Sequence, residues 1–174
     1  MKTNDSLLLL AFLTATAASL HIVERLSMRM LPLPFIRIGL SNIVILYLIM
    51  QDKPMSAFLV NIVKTILGGV VTLTLLSPAT LLSLGGGLAA ILVMFAARKI
   101  RLGFGVFGIS VAGAVAHNLG QLILVKYLVF PQTSVFLLTP MLIFIGMLSG
   151  MAIAYIMLIV SDKLKDSRLI DNDG

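Results

Sequence analysis

The chain reads as an all-α integral membrane protein with six transmembrane helices, on three observations. Of its 174 residues, 59% are hydrophobic and 11% charged, with a mean hydropathy of +1.10. A soluble domain carries about 25% charged residues, so this chain cannot cover its surface with charge. The apolar residues fall into six continuous runs, most of them near the ~20 residues that cross a ~30 Å hydrocarbon core. The runs do not alternate with polar residues, so helices rather than barrel strands must satisfy the backbone in lipid. Residues 1–174 are expected to form a single transmembrane domain with polar tails at 1–6 and 161–174, leaving no room for a soluble catalytic domain.

The first span is predicted over Leu7–Ile22. The polar start Met1–Ser6 weakly resembles a signal peptide, and Ala15–Ser19 could pose as its cleavage site. The later runs already require membrane residence, so an uncleaved span is preferred. Pro32 and Pro34 precede the second span, Ile36–Met50, and Pro54 precedes the third, Met55–Leu76. Pro78 precedes the fourth, Leu81–Ala97. The fifth, Phe104–Val129, is too long for a perpendicular crossing, so a tilt or a surface segment near Gly103–Gly108 is expected. Pro131 separates it from the sixth, Phe136–Val160. The polar tail Ser161–Gly174 is expected to fray.

Basic residues orient the bundle. With the N-terminus inside, Lys2, Lys53, Arg98, Lys99, Arg101, Lys163, Lys165 and Arg168 lie inside, and Arg25, Arg29, Arg37 and Lys126 outside. This asymmetry places the protein in the cell membrane with both termini cytoplasmic. The net charge of +6 is thus a matter of topology, and no nucleic acid partner is expected. The three arginines between spans one and two run against the rule. Either they bind something or they mark a connection folded back on the protein, with Glu24 neutralising part of their charge. Cysteine is absent, which removes disulfides, thiolate nucleophiles and Cys metal sites.

Three polar constellations interrupt the apolar runs. Lys64 lies about ten residues, or ~15 Å, from the inner end of span three, near the bilayer midplane. An ammonium there costs ~2.5–3.5 kcal/mol on insertion scales unless it meets water, an anion or a polar partner. It could snorkel or pair structurally, but the distance to either interface favours a pocket. Asn61 and Gly68 share its face at i−3 and i+4. Span five carries His117, Asn118 and Gln121 in its outer half, either as an interhelical staple or as a substrate face. The outer connection holds His21, Glu24, Arg25, Arg29 and Arg37, with Ser41 and Asn42 following. Arg37 and Ser41 share a face at the mouth of span two. An arginine there suits a carboxylate or phosphate, or anchors lipid headgroups. The candidate substrate-binding residues are therefore Arg37, Asn42, Asn61, Lys64, His117, Asn118 and Gln121. No catalytic residue and no cofactor is assigned. With two histidines and no acidic residue embedded mid-span, no metal site is expected.

Small residues form close-packing rows. Ala11, Ala15 and Ser19 repeat every four residues on span one and could pack inside the protein or dock a partner helix. Gly146 and Gly150 form a GxxxG in span six, and Ala112, Ala116 and Gly120 a similar row in span five. Gly85-Gly86-Gly87 marks a close approach or a break. Gly103-Phe-Gly105-Val-Phe-Gly108 is formally GxGxxG. No strand precedes it and it runs into a span, so it reads as a flexible turn rather than a dinucleotide fingerprint.

Leu40-Ser-Asn42 after Arg37-Ile-Gly39, the Ser83-Leu-Gly-Gly-Gly87 run and Gly113-Ala-Val-Ala-His117-Asn-Leu-Gly-Gln121 resemble the Gx transporter family. Its members are often labelled heptaprenyl diphosphate synthase component I. The resemblance runs from Leu10 to about Tyr155. That family in turn is similar to the substrate-binding S components of energy-coupling factor transporters. The resemblance implies a six-helix S-component-like bundle with a ligand pocket toward the outer face. It also implies partners: a transmembrane coupling subunit and two ATPase subunits, besides membrane lipid and a small-molecule substrate. Ala11 and Ala15 match the first-helix AxxxA row that contacts the coupling subunit in several S components.

The expected function is capture of a small, anionic solute for uptake. The alternative is a non-catalytic membrane subunit of heptaprenyl diphosphate or quinone biosynthesis that holds a prenyl diphosphate. Enzymatic activity is not expected. The acidic residues, Asp5, Glu24, Asp52, Asp162, Asp166, Asp171 and Asp173, form no DDxxD cluster, and Mg²⁺–diphosphate chemistry needs grouped carboxylates. No Walker A motif is present, so any ATP would be hydrolysed by another protein.

Overall fold

The computed structural model describes residues 2–28, 39–100, 103–129, 131 and 134–170. They form six α-helices: α1 (Lys2–Met28), α2 (Asn42–Met50), α3 (Pro54–Val71), α4 (Pro78–Lys99), α5 (Val106–Leu124) and α6 (Thr139–Ile170). Five of them, all but α2, are long and apolar enough to cross a membrane. A broad apolar exterior, including Phe12, Leu67, Leu92, Phe144 and Ile159, faces outward, as a lipid solvent requires. The protein is a helical membrane protein.

Most element boundaries move for local reasons. No breaker lies between Ile22 and Pro32, so α1 continues to Met28. This brings His21, Glu24 and Arg25 out of the predicted connection and into the helix. The second helix starts at Asn42 rather than Ile36. Gly39 has φ +74 and turns the chain, and the amides of Asn42 and Ile43 bond back to Gly39 and Leu40. The nine residues of α2 make ~14 Å of helix, about half a crossing. The third helix stops at Val71 because Leu73 adopts a left-handed φ of 55 and the Thr74 amide bonds to the Gly69 carbonyl. Pro54 and Pro78 each stand at the first turn of their helix, where a missing N–H costs nothing.

The long fifth run is helical from Val106 to Val129. It ends in a π-helical turn, Val125–Val129, which widens the helix at its C-terminal end. Of the GxGxxG stretch, only Gly103–Gly105 is loop, and α5 already begins at Val106. The tail expected to fray instead continues α6 to Ile170, since no breaker interrupts it.

Small residues set the helix spacings. A Cβ on Gly150 would stand 2.6 Å from the Val111 backbone, and one on Gly146 would stand 3.0 Å from that of Val115. Both therefore hold α6 against α5, and the Ser110 hydroxyl donates to the Gly150 carbonyl at 2.7 Å. The core gathers Ile45, Leu46 and Ile49 of α2 with Val60, Ile91, Met94, Ile109 and Ile153. The half-crossing helix is thus wrapped by the long ones. Helix α1 packs mainly on α3 and is the least buried of the five long helices.

Candidate functional site

Apolar packing fills one half of the bundle, and polar side chains fill the centre of the other. His21 and Glu24 of α1 lie on the same buried face as Ala17, Ala18 and Arg25, spaced as one helical stripe. They meet Gly39 and Ser41 at the entry to α2, Lys64 of α3, Ser83 of α4 and His117 of α5. Together these seven residues line one hollow of about 10 Å³. A hollow of that size holds one water at most, so the polar side chains themselves occupy the space.

Lys64 is the largest fully buried side chain, 2% exposed in mid-helix. Its ammonium donates to the Ser41 hydroxyl at 2.9 Å and to the Asn42 carbonyl oxygen at 3.0 Å. Two of its three protons are thereby used, and Glu24 faces the same hollow with the opposite charge. Ser41 stands at the N-cap of α2 yet makes no capping bond, since its hydroxyl serves Lys64 instead. The Gly39 amide donates to the Glu24 carboxylate. A side chain on Gly39 would crowd the Asn42 amide at 2.9 Å.

Glycines make the room for these polar groups. A Cβ on Gly68 would be 2.5 Å from the His21 ring, so the bare backbone of α3 admits that histidine. On α4, Gly86 admits Gln121 and His117, and Gly87 admits Asn61, whose Oδ1 would stand 2.0 Å from an added Cβ. The triple glycine is therefore a close approach, and α4 runs through it unbroken.

The structure divides the sequence-predicted residues. Asn42 and Lys64 bond to each other, and His117 lines the same hollow. Gln121 reaches the His117 Nε2 at 3.1 Å and acts through it. Asn61 donates to the Leu84 carbonyl at 3.2 Å, while its Oδ1, like the Thr65 hydroxyl, is buried with no hydrogen-bond partner among the described residues. Asn118 turns away from the hollow. It donates to the Leu142 carbonyl of α6 at 3.0 Å, which is the staple geometry. Arg37 and Arg29 lie outside the described residues.

Arg25 is not at an open mouth. It is buried, and its guanidinium meets the hydroxyls of Thr74 at 2.8 Å, Thr80 at 3.2 Å and Thr72 at 3.3 Å. It fastens the end of α1 to the α3–α4 turn. Ala11, Ala15 and Ser19 all point outward from the bundle. Among the described residues, no three His, Cys, Asp or Glu side chains are grouped to hold a metal.

Sequence reasoning did not assign His21, Glu24, Ser41 and Ser83 to the site. The spacing of Ala17, His21, Glu24 and Arg25 was the available signal, but it requires α1 to extend past Ile22.

A family model described as heptaprenyl diphosphate synthase component I matches residues 13–160. The chain belongs to that family. No curated protein matches it, and no solved structure does. Every residue around the hollow lies within the part of the chain that the heptaprenyl diphosphate synthase component I family shares, as do Ala15 and Ser19, whereas Ala11 falls before it.

Proposed function

We propose that this member of the family is a membrane-embedded substrate-binding subunit of an energy-coupling factor type uptake transporter, and that it captures a small solute in the Lys64 hollow. One observation carries the reading. Five helices each spend buried polar side chains on the same point, around an ammonium buried at mid-helix. A helical scaffold needs no such expense, because a buried charge stabilises less than apolar packing of similar volume. A carboxylate or other small anion would take the third Lys64 proton and displace Glu24 as the counter-charge. The closed hollow is then the unloaded form, and binding requires the α1–α2 entry at Gly39 to move outward.

Ala15 and Ser19, with Ala11, present a small-residue row on the least buried helix. In this reading the row receives the transmembrane coupling subunit, which works with two ATPase subunits. The termini lie in the cytoplasm, and the chain itself is non-catalytic.

The second reading follows from the family description, in which the chain holds a prenyl diphosphate for a separate synthase. Lys64 and His117 could meet a diphosphate. The hollow, however, is bounded by polar groups and offers no apolar slot for the tail.

Native mass spectrometry of the gently purified protein tests both readings. A small water-soluble anion supports transport, and a polyprenyl species supports the second reading. Lys64→Ala and His117→Ala should each weaken binding at least tenfold, ~1.4 kcal/mol. Unchanged affinity in both would remove the hollow from the account. Ala15→Leu should abolish co-purification with a coupling subunit and spare ligand binding; an intact complex would show the docking face to be wrong.

A further inference from the structure

A second site lies at the opposite end of α3 from the Arg25 clamp. A groove of about 300 Å³ runs between the start of α1, the end of α2 and the start of α3. Leu7, Leu9, Leu10, Leu13 and Leu48 form its walls, and Ser6, Lys53 and Ser56 its polar end. A neighbouring groove of about 340 Å³ between α3 and α4 has no charged lining residue. Of the two, only the first combines an apolar channel with a cation, the exposed Lys53.

The turn around Lys53 explains why that cation is available. Asp52 has φ 56, and its carboxylate takes a two-pronged bond from Arg98 at 2.6 and 2.8 Å. The acidic neighbour is thereby claimed by α4. Lys53 makes no ion pair and no side-chain hydrogen bond among the described residues. It also immediately precedes the first turn of α3, where the amides of Met55 and Ser56 have no intrahelical partner and the helix dipole favours an anion. Pro54 fixes that turn. Cation, free amides and serine hydroxyls sit at the helix end, where a headgroup would lie, and the leucine channel runs from there into the membrane.

We infer that this groove is a binding site for an anionic phospholipid, with its phosphate at Lys53 and the first turn of α3 and one acyl chain along Leu10, Leu13 and Leu48. The lipid fills the gap between α1 and the α2–α3 turn and holds the least buried helix to the bundle at that end. This site is independent of the solute hollow.

The chain contains no tryptophan, so Leu9→Trp introduces a single reporter in the channel. The labelled protein is placed in vesicles of phosphatidylcholine with a minor share of either brominated phosphatidylglycerol or brominated phosphatidylcholine. Brominated phosphatidylglycerol should quench with about fivefold higher apparent affinity, the effect of one lysine near a membrane surface. Adding Lys53→Gln should bring the two lipids level. Lys126→Gln, at the other end of the bundle, should leave the preference intact. Equal quenching by both lipids, or a preference that survives Lys53→Gln, overturns the proposal. So does equimolar farnesyl diphosphate displacing the lipid, which would give the groove to a prenyl diphosphate.

Discussion

Replacing Lys64 by methionine tests the polar centre without changing its bulk much. The variant loses two buried hydrogen bonds, at 2.9 Å to Ser41 and 3.0 Å to Asn42, and removes the positive charge that shares the hollow with Glu24. Removing one partner from a buried charge pair costs about 3–5 kcal/mol, because the other charge stays desolvated. For a chain of this size about 1 kcal/mol moves the melting temperature by roughly 2–4 °C, so the midpoint should fall by roughly 6–20 °C. Glu24→Gln alone should cost a similar amount. The double variant Lys64→Met with Glu24→Gln removes both charges, and only the unpaired Ser41 and Asn42 groups remain, at about 1–3 kcal/mol. It should therefore be more stable than either single variant. Thermal unfolding of the four proteins in one detergent, followed by size-exclusion chromatography with fluorescence detection, closes the cycle. If the double variant falls by the sum of the singles, the two charges do not share the site and the reasoning fails.

Gly87→Ala would set a Cβ 2.0 Å from the Asn61 Oδ1, so it should destabilise by about 1–3 kcal/mol, and Asn61→Ala in the same chain should recover most of the loss on a melting curve. Arg25→Met leaves three threonine hydroxyls around an apolar side chain; faster hydrogen exchange at the end of α1 and in the α3–α4 turn is expected, with little change in α5 and α6. The Arg98 guanidinium holds the Asp52 carboxyl below its usual range, through its hydrogen bonds first and its charge second. The unfolded pKa is therefore the higher one. The contribution is complete above about pH 4, near the unfolded value, and disappears as the pH falls through the lowered folded value. Melting temperatures of the wild type and Asp52→Asn should differ at neutral pH and converge in acid.

The sequence revealed the bundle more fully than the site. The apolar runs and their prolines located six helices, because hydropathy and the absence of alternation act over whole segments. Lys64 was legible for the same reason, as one charge set against a long apolar background. The ends of the helices were not. That α1 runs past Ile22 to Met28 follows from the missing breaker and is reinforced by the packing of His21, Glu24 and Arg25, which look like connection residues when read locally. The start of α2 depends on the left-handed Gly39, which hydropathy does not sense. Asn118 and Gln121 looked alike in sequence, yet a rotation of about 60° around α5 sends one to the Leu142 carbonyl and the other to His117. The close approach of Asn61 of α3 to α4 rests on Gly87, and that pairing of a polar side chain with a distant glycine leaves no trace in spacing along the chain.

The solute is proposed to bind in the hollow around Lys64. The most direct measurement is an electron-density map of the protein with its co-purified ligand. A polar ligand atom is expected within about 3.2 Å of the Lys64 ammonium, with Gly39 displaced outward. A ligand bound elsewhere, with Lys64 still bonded to Ser41 and Asn42 around an empty hollow, would contradict this assignment.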